Sequence, residues 1–283
     1  CPDRERGQYI GDAINEMEEA FYSLGPEVNE ISAKAIRNIC DWQEVGERNG
    51  RTYYFMSNVR PGVLEQEICA QSLGAALAAE NYYLFTGDKE LVQDTYQPLY
   101  NYLTNYDMME DGEYAGLIAT RTPDTTKYGD WLCSWFDWGN NMDTLVETNA
   151  WWYISAKSVR ALADVEGVQA TQEQKDWLDE RLASIEQNFE KFWNEDLQAY
   201  ATEWNETDWY QPSELENGSH VVDDRVNALG VIFGLIPEER YSQMRDVFIG
   251  TESTPAYENA SIYMEKYVIQ ALYMMGYDTD AMS

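Results

Sequence analysis

The chain has 283 residues, with 19 Lys and Arg, 51 Asp and Glu, a single histidine (His220) and a formal charge of −32. That charge repels phosphate backbones and anionic lipid heads, which excludes nucleic acid and membrane surfaces as partners. One histidine excludes multi-His metal sites and any triad built on another histidine, while 44% hydrophobic and 14% aromatic residues suffice for a large core.

Most segments read as helix by period. Residues 10–24 place Ile14, Met17, Phe21 and Leu24 on one face and stop at Gly25-Pro26. Residues 29–43 do the same with Ile31, Ala35, Ile39 and Trp42. Residues 66–86 are rich in Gly and Ala, which lets a neighbouring helix approach closely. Gly87 ends that helix and Asp88 caps the next, to about Tyr106. Residues 143–165 are apolar on most faces around Trp151, Trp152, Tyr153 and Ile154, the pattern of a helix buried all round. Residues 171–194 open on a capping box, Thr171 and Gln174, and carry Leu178, Leu182, Ile185, Phe189 and Phe192 at helical spacing. Asp223 or Asp224 starts a helix through Phe233, a short one follows from Glu238, and the last runs over 257–275 to Gly276. The nine predicted helices contrast with one weak strand signal, near residues 198–204.

No repeat or low-complexity linker divides the chain, so residues 1–283 read as one domain. The irregular stretches 44–65, 107–142 and 205–222 are long for a compact helical domain, and loops of this length are usually functional. The tryptophans 131, 135, 138, 204 and 209 lie on or beside them. Aromatic rings beside carboxylates suit sugars, whose apolar faces stack while their hydroxyls need acceptors; equally, such rings can pack under the loops as small satellite cores. Cys1, Cys40, Cys69 and Cys133 form no CxxC pair and are expected to be free, buried thiols.

The N-terminal stretch CPDRERGQYIGDA flanks Glu5 with Arg4 and Arg6 and places Asp12 at the mouth of a helix. From spacing alone it is a surface ion-pair cluster with a helix cap. The stretch also resembles the signature of the bacterial α-L-rhamnosidases, glycoside hydrolase family 78 of the six-hairpin glycosidases. Cys1, Pro2, Arg4, Glu5, Arg6, Tyr9, Gly11 and Asp12 fill the pattern; Tyr9 stands where the family usually has Trp, and Ile10 where it often has Thr. A second block, WFDWGNNMD (135–143) leading into NAWWYISAKSVRALA (149–163), is similar to the family's Asp-Trp-Gly loop and following helix. A third, DDRVNALGV (223–231) with YMEKYVIQALYMMG (263–276), comes in the family's order.

The resemblance implies an all-α fold, an (α/α)6 barrel, here incomplete at both ends, with β-sandwich domains beside it in the parent chain. Cys1 then falls inside a motif, which favours a fragment over a lipidated N-terminus. The implied chemistry is hydrolysis of terminal α-L-rhamnosyl residues with inversion, on a carbohydrate partner, with no metal or organic cofactor. Glu5 takes the place of the general acid. Arg4, Arg6, Asp12, Trp135, Asp137, Trp138 and Asp143 take those of sugar contacts, although Asp137 and Asp143 can also cap the helix that follows. A general acid needs a raised pKa, which two facing arginines would oppose, so one of Arg4 and Arg6 is expected to turn away, toward Asp3 or Asp12. The family's base, a glutamate in a Trp-Glu element, has no counterpart after Trp209; Glu265 is the nearest late glutamate and the base stays unassigned. The alternatives are another glycosidase activity on the same barrel, or a glycan-binding protein without catalysis. Neither a compartment nor a particular aglycone follows from the sequence.

Overall fold

Ile10, Ile14 and Met17 bury one face of α1 (Ile10–Ser23). The computed structural model describes residues 7–48, 50–62, 66–121, 143–203, 220–252, 255–258 and 260–283. Leu24, expected on the buried face, instead forms the extended C-cap and is exposed. In α2 (Asn29–Asp41) the buried stripe is Ser32, Ala33, Ala35, Ile36, Ile39 and Cys40, whereas Ile31 and Trp42 face outward. Ala35 and Ile39 of the expected stripe are buried, and its two ends, Ile31 and Trp42, are not.

Residues 44–55, expected to be irregular, form an antiparallel hairpin, β1 (Glu44–Arg48) with β2 (Arg51–Phe55). Arg48 pairs with Arg51, and Gly50 between them has φ 77°, a conformation glycine adopts without steric cost. Helix α3 (Cys69–Thr86) ends at Gly87 in the left-handed region, and Asp88 accepts from Leu91 N at 3.0 Å to start α4 (Lys89–Leu103). The Ala- and Gly-rich run of α3 does bring a neighbour close: a Cβ on Gly74 would stand 2.7 Å from Ile14 Cδ1.

Helix α5 (Thr144–Leu162) is buried on nearly every face, as its pattern requires. The capping box at α6 (Gln172–Asn188) is reciprocal: Thr171 N donates to Gln174 Oε1 at 2.9 Å, and Gln174 N to Thr171 Oγ1 at 3.2 Å. A 3₁₀ turn then buries Phe189 and Phe192. The strand signal near 198–204 is β4 (Ala199–Glu203), the middle of an antiparallel sheet with β3 (Trp193–Asn194) and β5 (His220–Val222). Helices α7 (Asp224–Ile232), α8 (Tyr241–Ile249), α9 (Ile262–Met274) and α10 (Asp278–Ala281) complete the described elements.

The contacts fall into two units. The first comprises Cys1–Asp107, Arg121–Phe136 and Trp151–Ala183; within it α1, α2, α3 and α4 pack on one another and Trp152 Nε1 donates to Leu103 O at 3.2 Å. The second comprises Met108–Thr120, Asp137–Ala150 and Ser184–Ser283; within it α7 packs on α9 and α8, and the Phe189 ring packs on Tyr200 of β4. Among the described cysteines Cys40 is a buried free thiol, but Cys69 is disulfide-bonded, which corrects the expectation of free thiols throughout.

Candidate active site

Of the residues singled out from the sequence, Arg4, Glu5, Arg6, Trp135, Asp137 and Trp138 lie outside the described residues. Asp12 is described: it sits exposed in the first turn of α1, where a carboxylate suits the helix N-terminus. The residues that follow the Arg-Glu-Arg motif are held firmly. Ile10 N donates to Asn58 O at 2.8 Å, Arg60 N to Gln8 O at 3.0 Å, and Gln8 N to Pro61 O at 3.2 Å. Asn58 is itself fully buried and fixed, its amide donating to Gln71 Oε1 at 3.0 Å and its carbonyl accepting from Ile68 N at 3.3 Å. The exit of the motif is therefore tied to a buried polar strip at the entrance of α3.

Asp143, at the end of the Asp-Trp-Gly block, is buried, 2% exposed. Its Oδ1 accepts from Val146 N at 3.1 Å, capping α5, and from Thr202 Oγ1 at 2.9 Å; its Oδ2 accepts from Thr202 N at 2.6 Å. Its own N–H donates to Asp223 Oδ2 at 3.3 Å. Asp223 caps α7 and holds Arg225 in a fork, with Nε at 2.7 Å from Oδ1 and Nη2 at 3.0 Å from Oδ2. One turn after Asp143, Glu147 is also buried, and its Oε2 has no hydrogen-bond partner among the described residues. Burial pushes Asp143 from 3.8 up to about 7, against the pull of the Val146 and Thr202 hydrogen bonds. Burial, then the Asp223 charge, drives Glu147 well above the usual carboxylate range, with Arg225 opposing and Asp143 adding. Chemically this cluster fastens backbone and holds protons in an interior with little access to solvent.

A second buried cluster lies in the first unit. Arg121 Nη1 is paired with Glu67 Oε1, which also accepts from Tyr102 OH at 2.9 Å. Burial opposes the Arg121 charge, but Glu67 and then Tyr102 and Tyr106 hold its pKa above the ordinary value. Both tyrosine hydroxyls are driven up, chiefly by burial. Sequence reasoning singled out neither Glu67, Arg121 nor Glu147. The one local signal is that Asp143 and Glu147 stand four apart, on one helix face.

Glu265, in the first turn of α9, is exposed at the residue level; partial burial and then Glu258 raise its pKa. Among the described residues no group of three or more His, Cys, Asp or Glu could hold a metal ion, and no helix is long and apolar enough to cross a membrane.

Comparison with solved structures finds a rhamnosidase from Klebsiella oxytoca with rhamnose bound, at 14% identity and TM-score 0.64, covering 99% of this chain and 48% of that one. It also finds an alpha-L-rhamnosidase from Dictyoglumus thermophilum, at 18% identity and TM-score 0.65, covering 100% of this chain and 28% of that one. At these identities the likeness shows the fold, and the chain spans less than half the length of either structure. Comparison with curated proteins finds no match. The family model for the bacterial alpha-L-rhamnosidase 6 hairpin glycosidase domain matches residues 1–259, a stretch that contains the Arg-Glu-Arg motif, the Asp-Trp-Gly block and the start of α7. The fold is accordingly the all-α, (α/α)6 class of that domain, and the chain belongs to the bacterial alpha-L-rhamnosidase six-hairpin glycosidase family.

Proposed function

We propose that the chain is the catalytic barrel of a glycoside hydrolase that removes terminal α-L-rhamnosyl residues with inversion of configuration. The observation that carries this reading is the family match across residues 1–259, which takes in the motif around Glu5. The firm attachment of residues 8–10 to residues 58–61 supports it, because an acid must be held within a fraction of an ångström of the leaving oxygen. In this reading Glu5 protonates that oxygen. Asp12 and Asp137 accept sugar hydroxyls, Trp135 and Trp138 stack on the apolar face of the ring, and Arg4 and Arg6 bind hydroxyls and set the charge around Glu5. An inverting site needs a second carboxylate about 6.5–9.5 Å from the acid, with a water between them; no residue of this chain is assigned to that role. The partner is a rhamnosylated glycan or glycoside, and β-sandwich domains belong to the parent chain.

The test is turnover of aryl α-L-rhamnosides by the full-length protein, with the anomer released first identified by NMR. β-L-rhamnose as first product is expected. Glu5→Gln should cut turnover of natural rhamnosides by about 10²–10⁴-fold, and of activated aryl substrates by less, since their leaving group needs less protonation. Hydrolysis of a different aryl glycoside with no rhamnoside turnover would overturn the substrate; equal losses on both substrate types would overturn the role of Glu5.

A further inference from the structure

A cleft of about 470 Å³ lies in the second unit, lined by the turn between β3 and β4, by α8 and by the segment that follows α8. Small-molecule sites span about 300–1,000 Å³, so its size suits one. None of its residues is among those assigned to the reaction. Its walls are chemically mixed. Asp196 and Asp246 bring carboxylates, Gln243 brings an amide, and Leu197 and Tyr257 bring apolar surface. Ser242 Oγ donates to Gln243 Oε1 at 2.9 Å, so what Gln243 has to offer a ligand is the pair of N–H donors on its amide nitrogen. No lysine, arginine or histidine is among the described residues that line the cleft. We propose that this cleft is a second saccharide site, which holds a neutral sugar unit without acting on it.

The chemistry of the walls selects the ligand class. An anion meets two carboxylates and is repelled. A cation is served by the carboxylates alone and leaves the amide donors unused; one of those carboxylates, Asp246, is already paired with Arg245 at 3.2 Å, and Arg245 also binds Asp280 at 2.8 Å. A neutral sugar uses every wall: its hydroxyls donate to carboxylates and accept from an amide, and its C–H faces lie on Leu197 and the Tyr257 ring. The walls are also fixed before a ligand arrives. Asn194 Oδ1 accepts from Asp196 N at 3.0 Å and from Leu197 N at 2.9 Å, and Gln198 Nε2 donates to Glu195 O at 2.6 Å, which sets the turn. Helix α8 packs on β4, and Tyr257 N donates to Val247 O at 2.9 Å, which ties the ring-bearing segment to α8. Groups already ordered need not be ordered by the ligand, so weak individual contacts suffice for binding.

The ligand class follows from the walls; only the choice of L-rhamnose as a probe rests on the proposed reaction. The experiment follows amide hydrogen exchange of the full-length protein in residues 194–199 and 242–252, alone and with L-rhamnose, D-galactose, D-galacturonate or spermidine. L-rhamnose or D-galactose should slow exchange in both stretches, and D-galacturonate should not. Asp196→Ala and Gln243→Ala should each weaken the protecting sugar about ten-fold, the loss of one hydrogen-bonding partner, with kcat/KM for an aryl α-L-rhamnoside unchanged. Gln243→Glu, which replaces the amide donors with a third carboxylate, should weaken the sugar and strengthen spermidine. No protection by either neutral sugar, equal protection by D-galacturonate, or a sugar affinity that neither alanine variant moves would overturn the inference. Protection by spermidine alone would overturn it in favour of a cation site. Protection by a neutral sugar in a protein that turns over no rhamnoside would defeat the proposed reaction and leave the second site standing.

Discussion

The two buried charge clusters solve the same problem in opposite ways. In the first unit a single carboxylate, Glu67, meets a single guanidinium, Arg121, and Tyr102 donates to the same carboxyl oxygen. In the second unit three carboxyls, Asp143, Glu147 and Asp223, share one guanidinium, Arg225. The first cluster is balanced by charge. The second is over-acidic and is kept tolerable by proton uptake, which is why burial leaves Asp143 at about 7 and Glu147 higher than usual. An acid-rich cluster ties its stability to pH.

The largest test of that contrast is to remove each arginine. Arg121→Met strands Glu67 in the interior and should cost about 3–5 kcal/mol, measured by denaturant unfolding. Replacing Glu67→Leu, Tyr102→Phe and Arg121→Met together should recover most of that loss, since apolar groups of similar volume need no partners. Arg225→Met should cost more at pH 8 than at pH 6, because protons can neutralise Asp143 and Glu147 at the lower pH but not at the higher. An equal cost at both would mean that the second cluster is not acid-rich in the sense described.

The pH dependence of the parent protein follows with a definite sign. The folded state holds the Asp143 proton up to about pH 7, while the unfolded chain releases it near 3.8. Stability therefore falls as pH rises through that window, by roughly 4 kcal/mol at most for this group, and Glu147 adds in the same direction. Glu147→Gln should flatten the fall and leave the variant more stable than its parent above pH 7. Asp164 in the first unit has the opposite sign: hydrogen bonds from Lys175 and then Arg160 lower it to about 2, so its contribution is present above 3.8 and is lost as pH falls toward 2. The two effects occupy different pH windows, so a stability profile from pH 2 to 9 separates them. A variant Glu147→Gln that is less stable than its parent at pH 8 would break the account.

Tyr102→Phe is a smaller step on the balanced side. It removes one donor from Glu67 while leaving Arg121, and should cost about 2 kcal/mol, the range for a hydrogen bond to a charged group. The cost should be the same at pH 6 and pH 8. A cost that grows with pH would place the first cluster in the same class as the second.

Most helices were legible because their signals are local. The buried faces of α1, α5 and α6 repeat at helical spacing, and Asp88, Asp223 and Gly87 mark ends by chemistry confined to a few residues. The hairpin β1–β2 was missed, because Glu44 to Arg48 alternate weakly and the one local clue is the dipeptide Asn49-Gly50. The site was legible only through resemblance. Asp143, Thr202 and Asp223 are 59 and 21 residues apart in turn, and Glu67 lies 54 from Arg121, so nothing within one element announces either cluster. What brings them together is the packing of helices, and a carboxylate that will be buried looks in sequence like one that caps a helix in water.

The smallest expected effect calibrates the others. Thr171 and Gln174 exchange hydrogen bonds in the open, at 2.9 and 3.2 Å, with no buried charge involved. Thr171→Ala deletes the side-chain acceptor and leaves Gln174 N to water, which should cost about 1 kcal/mol by thermal or denaturant unfolding. Gln174→Ala should cost no more, and the double variant should lose less than the sum, because each bond already weakens when its partner's side chain goes. Neither loss should vary between pH 5 and pH 8, since neither group titrates there. Losses in the buried clusters larger than this one by a factor of two or more would reflect ionised partners and their burial. Losses of equal size would mean that water reaches Glu67 or Asp143, and that the contrast between the two units is one of composition rather than of burial.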